Sequence, residues 1–341
     1  MDNKYTLSIC IPTYERPVEL ERLLNSVISQ ISNDIENDVE IVVADGSRDL
    51  TTEKLITSMF RRPYIHYVRD SKNVGFDRNI LAVTKLARGK FIWWIGDDDA
   101  MVAGGLRRVL SFLRDNDISF LFVNCINGYS NNRLFDIGND RFFIDGSHAI
   151  EEILCGLGFM SATIFKRELA LTGIEASKKY IGSVFIGFYL VLHVISQKGS
   201  MYYMSDPAII NFPETSDKIL VKFKGDDGGI NNPFFQIFGV NFLTITMEFA
   251  DKFKVVSIKK LLSNSLASVW RGLFVAWVGG WDTPRGKRWK MFKLYRSFSE
   301  IWLVWPIFLL PLSVNKFLYR IYKIFFSRRK WKFSKVNTKG E

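Results

Sequence analysis

The first hundred residues alternate short apolar runs with longer stretches whose apolar residues recur at helical spacing. Residues 6–11, 39–44 and 91–95 are strand runs with almost no polar face, and residues 65–68 form a shorter one. Between them, residues 17–30, 49–60 and 77–86 carry helical patterns, with Leu20, Leu23, Leu24, Val27 and Ile28 on one face of the first. A strand that is apolar on both faces has to be covered on both, and crossover helices over a parallel sheet do this. The expected class is therefore α/β, with a Rossmann-like, mostly parallel sheet flanked by helices. Such sheets take ligands beyond the carboxyl ends of their strands, where loops and helix N-termini converge.

One of the loops at that edge is Asp97-Asp98-Asp99, which follows the run 91–95 and Gly96. Adjacent carboxylates repel one another and lose hydration on packing, so at the end of a buried strand they call for a cation or a set of donors. A hard, oxygen-seeking metal is the natural expectation. The plainer alternative is an acidic turn that caps the helix expected at residues 104–114.

Three further loops stand with it in chain order. They are Pro12-Thr13-Tyr14-Glu15-Arg16, Asp45-Gly46-Ser47-Arg48-Asp49, and Asn73-Val74-Gly75-Phe76-Asp77-Arg78-Asn79. Together with the acidic turn they resemble the family 2 glycosyltransferases of the GT-A fold, closely over about the first 115 residues and more loosely to Pro207. The stretch from Asn73 to Leu106 looks most like bacterial O-antigen and capsule transferases of the abequosyltransferase type.

The resemblance implies that Pro12, Thr13 and Tyr14 border a nucleotide and that Asp45 accepts a hydrogen bond from its base. It places Asn73, Gly75, Arg78 and Asn79 near the diphosphate and sugar, with Arg16 and Asp97 also on the donor. Asp98 and Asp99 are the expected ligands of a divalent Mn²⁺ or Mg²⁺ that neutralises the departing diphosphate. The register stays open, because Gly96 stands where the family has its first acid, while Asp97-x-Asp99 fits by letters alone.

An inverting transferase also needs a base for the acceptor hydroxyl. The family's acidic pair should fall near Gly187 to Tyr189, and this chain has no acid there. His193, one helical turn past Tyr189, is the nearest group that accepts a proton near neutral pH and is the expected catalytic residue. Its plain alternative is a helix histidine without a chemical role; Asp206, Glu168 and Glu152 are further candidates.

The net positive charge is confined to the end of the chain. Residues 283–341 hold fifteen Lys and Arg against two Glu, a surplus of 13 that exceeds the whole chain's +11 and leaves residues 1–282 at −2. Residues 301–312 are intensely apolar, too short to span a bilayer and interrupted by Pro306 and Pro311; a basic stretch with interleaved aromatics follows. That pairing predicts a tail at about 298–335 that lies on an anionic membrane surface. Nucleic acid would leave the apolar run unexplained and is not an expected partner. The rival reading has the tail packing on the catalytic domain or joining copies of the chain into a homo-oligomer. Three scattered cysteines and a polar N-terminus predict neither a disulfide framework nor export.

The predicted organisation is a catalytic domain at residues 1–212, a loop or lid at 213–233, and a helical, basic, aromatic-rich extension at 234–341. The predicted activity is inverting transfer of a sugar from a nucleotide-diphosphate sugar to a polyprenyl-diphosphate-linked oligosaccharide. It would take place at the cytoplasmic face of the bacterial inner membrane, with the protein attached peripherally. Alternatives are a sugar nucleotidyltransferase, which normally has a glycine-rich loop after its first strand, and an inactive membrane-bound scaffold.

Overall fold

A computed structural model describes residues 4–70, 72, 75–197, 199–213 and 241–253, with Leu310, Ser313, Val314 and Phe317 beyond them. The chain divides into two compact units, residues 1–230 with 241–265, and residues 231–240 with 266–341. All elements below belong to the first.

The alternating N-terminal pattern forms four parallel strands. These are β1 (Tyr5–Thr13), β2 (Val39–Asp45), β3 (Ile65–Arg69) and β4 (Gly89–Trp94), in the order β3-β2-β1-β4. Helices α1 (Pro17–Ile28), α2 (Thr51–Met59) and α3 (Phe76–Leu86) make the crossovers. Pro17 opens α1, where its missing N–H costs nothing, and Leu20, Leu23, Leu24 and Val27 bury the predicted face. Gly75 precedes α3 at φ 84, a left-handed conformation that a side chain would resist.

The remaining strands change direction. After β5 (Ala100–Met101), α4 (Gly105–Asp115), β6 (Phe120–Asn127), β7 (Arg141–Phe143) and α5 (Gly146–Leu157), strand β8 (Thr163–Lys166) enters beside β4 antiparallel. Helices α6 (Arg167–Ser177) and α7 (Ile186–Ile195) then lead to β9 (Met201–Asn211), and α8 (Phe242–Glu248) packs on α7. The sheet of described residues runs β3-β2-β1-β4-β8-β6-β9-β5, with β7 also on β9. Its first four strands are parallel as expected, whereas the second half is mixed.

Two antiparallel steps, β4 to β8 and β8 to β6, restore the original polarity, and β9 runs parallel to β6. Strands β1, β2, β3, β4, β6 and β9 therefore all end at one edge. Phe91, Trp93, Trp94, Phe120, Phe122 and Phe165 fill the centre of the sheet and are fully buried, with Trp94 edge-on to Phe165 at 4.6 Å.

Candidate active site

The acidic turn lies at the carboxyl edge of β4, and it does not cap α4. That helix starts six residues beyond Asp99, at Gly105, with no side-chain cap at Gly104. The Asp99 N–H instead closes the turn on the Gly96 carbonyl at 3.0 Å. A Cβ at Gly96 would stand 2.8 Å from Asp98 Oδ1 and 3.3 Å from Asp99 Oδ2. A side chain at residue 96 would therefore require the Asp98 carboxylate, the open end of a flexible side chain, to shift.

The three aspartates have different surroundings. Asp97 is buried, accepting from Thr13 Oγ1 at 2.9 Å and from Arg16 Nη1 at 2.7 Å. Asp99 is buried on the opposite side, accepting from Ser161 Oγ at 2.5 Å and from Asn211 Nδ2 at 2.9 Å. Ser161 Oγ accepts the Gly96 N–H at 2.9 Å in turn, so one hydroxyl ties both ends of the turn. Asp98 is the most open, with its side chain 21% exposed against 5% for Asp97, and its Oδ2 lies 3.0 Å from Arg16 Nη1. Arg22 donates to the Asp98 carbonyl and lies over the Phe212 ring at 4.1 Å, which fixes the backbone beneath that carboxylate.

Burial disfavours the Arg16 charge, but Asp97 and Asp98 outweigh it and raise the Arg16 pKa. Arg16 is therefore a fixed cation between two carboxylates. Its loop is held in place by Glu15, which sits at φ 51 and donates its N–H to Ser47 Oγ at 2.8 Å.

The second strand end forms a separate pocket wall. Asp45 pairs in register with Thr13 and is buried, with Oδ1 accepting the Ser47 N–H at 2.7 Å and Oδ2 the Tyr67 hydroxyl at 2.6 Å. Burial and then Asp45 push the Tyr67 pKa upward, so the phenol stays a donor. Arg69 Nη2 reaches the carbonyls of Ser47, Arg48 and Asp49 at 3.2, 2.9 and 3.1 Å, holding that loop from beneath.

Of the other residues expected in the site, Pro12 and Thr13 are buried at the end of β1, and Tyr14 is half-buried. Asn79 is buried with its amide 3.5 Å from the Thr13 carbonyl, and Arg78 is exposed one turn into α3. Asn73 lies outside the described residues, as does most of the tail expected to lie on a membrane.

His193, the expected catalytic residue, stands on α7 and makes its side-chain hydrogen bond to α6, not to the strand-end loops. It lies seven residues, about 10 Å, past the start of α7. There its Nε2 is 2.8 Å from Thr172 Oγ1 on α6, and burial first, then Lys252, lowers its pKa. The alternatives Asp206 and Glu152 are paired with Arg133 and Arg141.

Spacing missed an acid that does reach the start of α7. Asp77, from α3, accepts the N–H groups of Gly182 at 2.7 Å, Val184 at 2.9 Å and Ile186 at 3.3 Å. Burial raises its pKa while these amides pull it back. Val184 is at φ 67, an unusual conformation for a β-branched residue. The one available signal was Asp77's place inside the run that flagged Arg78 and Asn79. Ser161 and Asn211 had none, being 62 and 112 residues from Asp99.

Among the described residues, no group of three or more His, Cys, Asp or Glu is placed to hold a metal ion. A hard cation needs less than this when it takes one or two carboxylates and fills its remaining positions with substrate phosphates and water, and Asp98 is the most open carboxylate of the turn. The guanidinium 3.0 Å from its Oδ2 shows that the position accommodates positive charge.

Residues 8–168, the span that holds every one of these strand ends except Asn211, match the family described as glycosyl transferase family 2. Those residues form a glycosyl transferase family 2 domain. Over 225 residues the chain is 29% identical to abequosyltransferase RfbV of Salmonella typhimurium, covering 60% of this chain and 66% of that protein. Over 130 residues it is 25% identical to a Campylobacter jejuni GalNAc(5)-diNAcBac-PP-undecaprenol beta-1,3-glucosyltransferase, covering 35% of this chain and 38% of that one. The chain thus spans less than two thirds of these relatives' lengths. The structure of S. aureus TarS 1–349 in complex with UDP-GlcNAc superposes with a TM-score of 0.55 at 14% identity, covering 87% of this chain and 91% of that one. That likeness extends the GT-A fold across the mixed half of the sheet.

Proposed function

We propose that the protein transfers a sugar, with inversion, from a nucleoside-diphosphate sugar to a lipid-linked oligosaccharide of bacterial O-antigen or capsule synthesis. The observation that carries this reading is the acidic turn, where Asp97 and Asp99 are anchored from opposite sides and Asp98 is presented between them. The family of the domain and the printed activities of its relatives support the donor and acceptor classes.

In this reading Asp45 accepts a hydrogen bond from the base, using lone pairs not taken by Ser47 and Tyr67. Arg78, exposed on α3 beside the β1 loop, offers charge to the diphosphate. Mn²⁺ or Mg²⁺ held by Asp98 would act as a Lewis acid that offsets charge on the leaving nucleotide. Asp99 supports the turn and, with lone pairs not taken by Ser161 and Asn211, would be the second carboxylate for the metal. Asp77 shapes the wall at residues 182–186, beside which an acceptor sugar would sit.

We place the protein at the cytoplasmic face of the membrane, bound through its basic tail. Leu310, Val314 and Phe317, spaced as one helix face, are 37, 39 and 63% exposed, which supports an apolar contact there. No helix among the described residues is long and apolar enough to cross a membrane.

The test is a calorimetric titration of the full chain with UDP-, GDP-, CDP- and dTDP-sugars, with and without Mn²⁺, followed by a transfer assay with the donor that binds. Asp98→Ala should lower transfer by about 10²–10³-fold, the size expected when one element of transition-state charge stabilisation is lost. Absence of binding by every nucleoside diphosphate, or wild-type transfer by Asp98→Ala, would overturn the proposal.

A further inference from the structure

We propose that Arg16 is a built-in counter-ion that takes the metal's part in the donor-free protein, so that metal capture depends on the arriving nucleoside diphosphate. The inference rests on the reading of Asp98 as the metal's carboxylate.

Arg16 Nη1 lies 2.7 Å from Asp97 Oδ1 and 3.0 Å from Asp98 Oδ2, with the Arg16 side chain only 12% exposed. A divalent cation on Asp98 Oδ2 would sit about 2.1 Å from that oxygen. Metal and guanidinium would then share one oxygen in a poorly hydrated site, where like charges repel far more strongly than in water. Without an anion between them, only one of the two can be accommodated well.

The surrounding geometry lets the side chain, and only the side chain, give way. The backbone of the loop is held by the Glu15 N–H on Ser47 Oγ and by Pro17 at the start of α1. The Asp98 backbone is held by Arg22 at its carbonyl, and Asp97 keeps Thr13 on its second oxygen when Arg16 leaves. A diphosphate brings negative charge for both cations at once, and a guanidinium turns readily onto phosphate oxygens because its fork matches them. The protein then stays closed to metal until the donor arrives, and metal and nucleotide load together.

The experiment follows Mn²⁺ binding to the full chain by electron paramagnetic resonance of the free ion, first without nucleotide and then with the nucleoside diphosphate that binds. Arg16→Gln should bind Mn²⁺ alone at least about tenfold more tightly than wild type, an effect of the size of one like-charge contact near a protein surface. With nucleotide present the advantage should vanish or reverse. Arg16→Lys keeps the charge on a compact head that cannot bridge two carboxylates, and should fall between them; it carries the test alone if the Gln variant does not fold. If wild type retains Mn²⁺ with nucleotide but neither variant gains affinity without it, the counter-ion role is overturned while the metal site stands. If no form retains Mn²⁺ under any condition, the metal reading itself fails, and the inference with it.

Discussion

The two edges of the parallel half-sheet both hold buried carboxylate, and they hold it differently. At the amino edge, Glu40 of β2 is completely buried between Ser8 Oγ at 2.6 Å, the backbone N–H and guanidinium of Arg88, and His66 Nε2 at 3.4 Å. Both its oxygens are occupied by groups from neighbouring strands. At the carboxyl edge, Asp97 and Asp99 are treated in the same way, but Asp98 is left partly exposed beside an arginine that serves two partners. A carboxylate enclosed by its own fold stabilises the protein, whereas one held near water by anchored neighbours is available to a ligand. The number of acids is a poor guide to which is which.

The sharpest way to break this contrast is to remove each acid in turn. Glu40→Ala leaves the buried Ser8 hydroxyl and the Arg88 N–H without their partner, and should cost about 1–3 kcal/mol in chemical denaturation, the range for unsatisfied buried donors. Asp98→Ala, expected to lower transfer by about 10²–10³-fold, should cost less than about 1 kcal/mol by the same measurement. Equal losses at both edges would show that Asp98 is structural after all.

A smaller effect separates Asp77 from both. Its folded pKa is raised, so the folded protein binds the proton more tightly than the unfolded chain does. Stability should therefore fall as pH rises from the ordinary carboxylate range through the raised folded value, by at most about 1.4 kcal/mol per pH unit. Asp77→Asn removes the titration while keeping one acceptor oxygen. Relative to wild type its melting temperature should improve as pH rises across that window, and a difference independent of pH would refute the assignment.

The smallest expected effect is at His193. His193→Gln should keep transfer within about threefold of wild type and cost only the Thr172 contact, about 0.5–1.5 kcal/mol. A loss of a hundredfold in transfer would return His193 to the chemistry.

Much of the nucleotide half of the fold was legible in the chain. Residues 6–11, 39–44, 65–68 and 91–95 all became strands, with crossover helices between them, because local apolar periodicity and parallel pairing demand the same covering layers. The loops carrying Thr13, Asp45 and the acidic turn were identified for the same reason, as they are the ends of those strands. The mixed half was less legible. β8 is four residues long and β5 two, too short for a period to declare direction. Ser161 and Asn211 reach Asp99 only because β8 pairs with β4 and β9 pairs with β5, which follows the acidic turn.

By itself, then, the sequence determined that strands would end in a row of polar loops, that three aspartates would stand at one of them, and that positive charge would gather in the tail. The tertiary structure alone decided that Asp97 and Asp99 are anchored from opposite sides and that Arg16 spans Asp97 and Asp98. The physical reason is that strand and helix periods act between neighbours in the chain. The environment of a carboxylate is set by donors brought to it from 62, 81, 84 and 112 residues away.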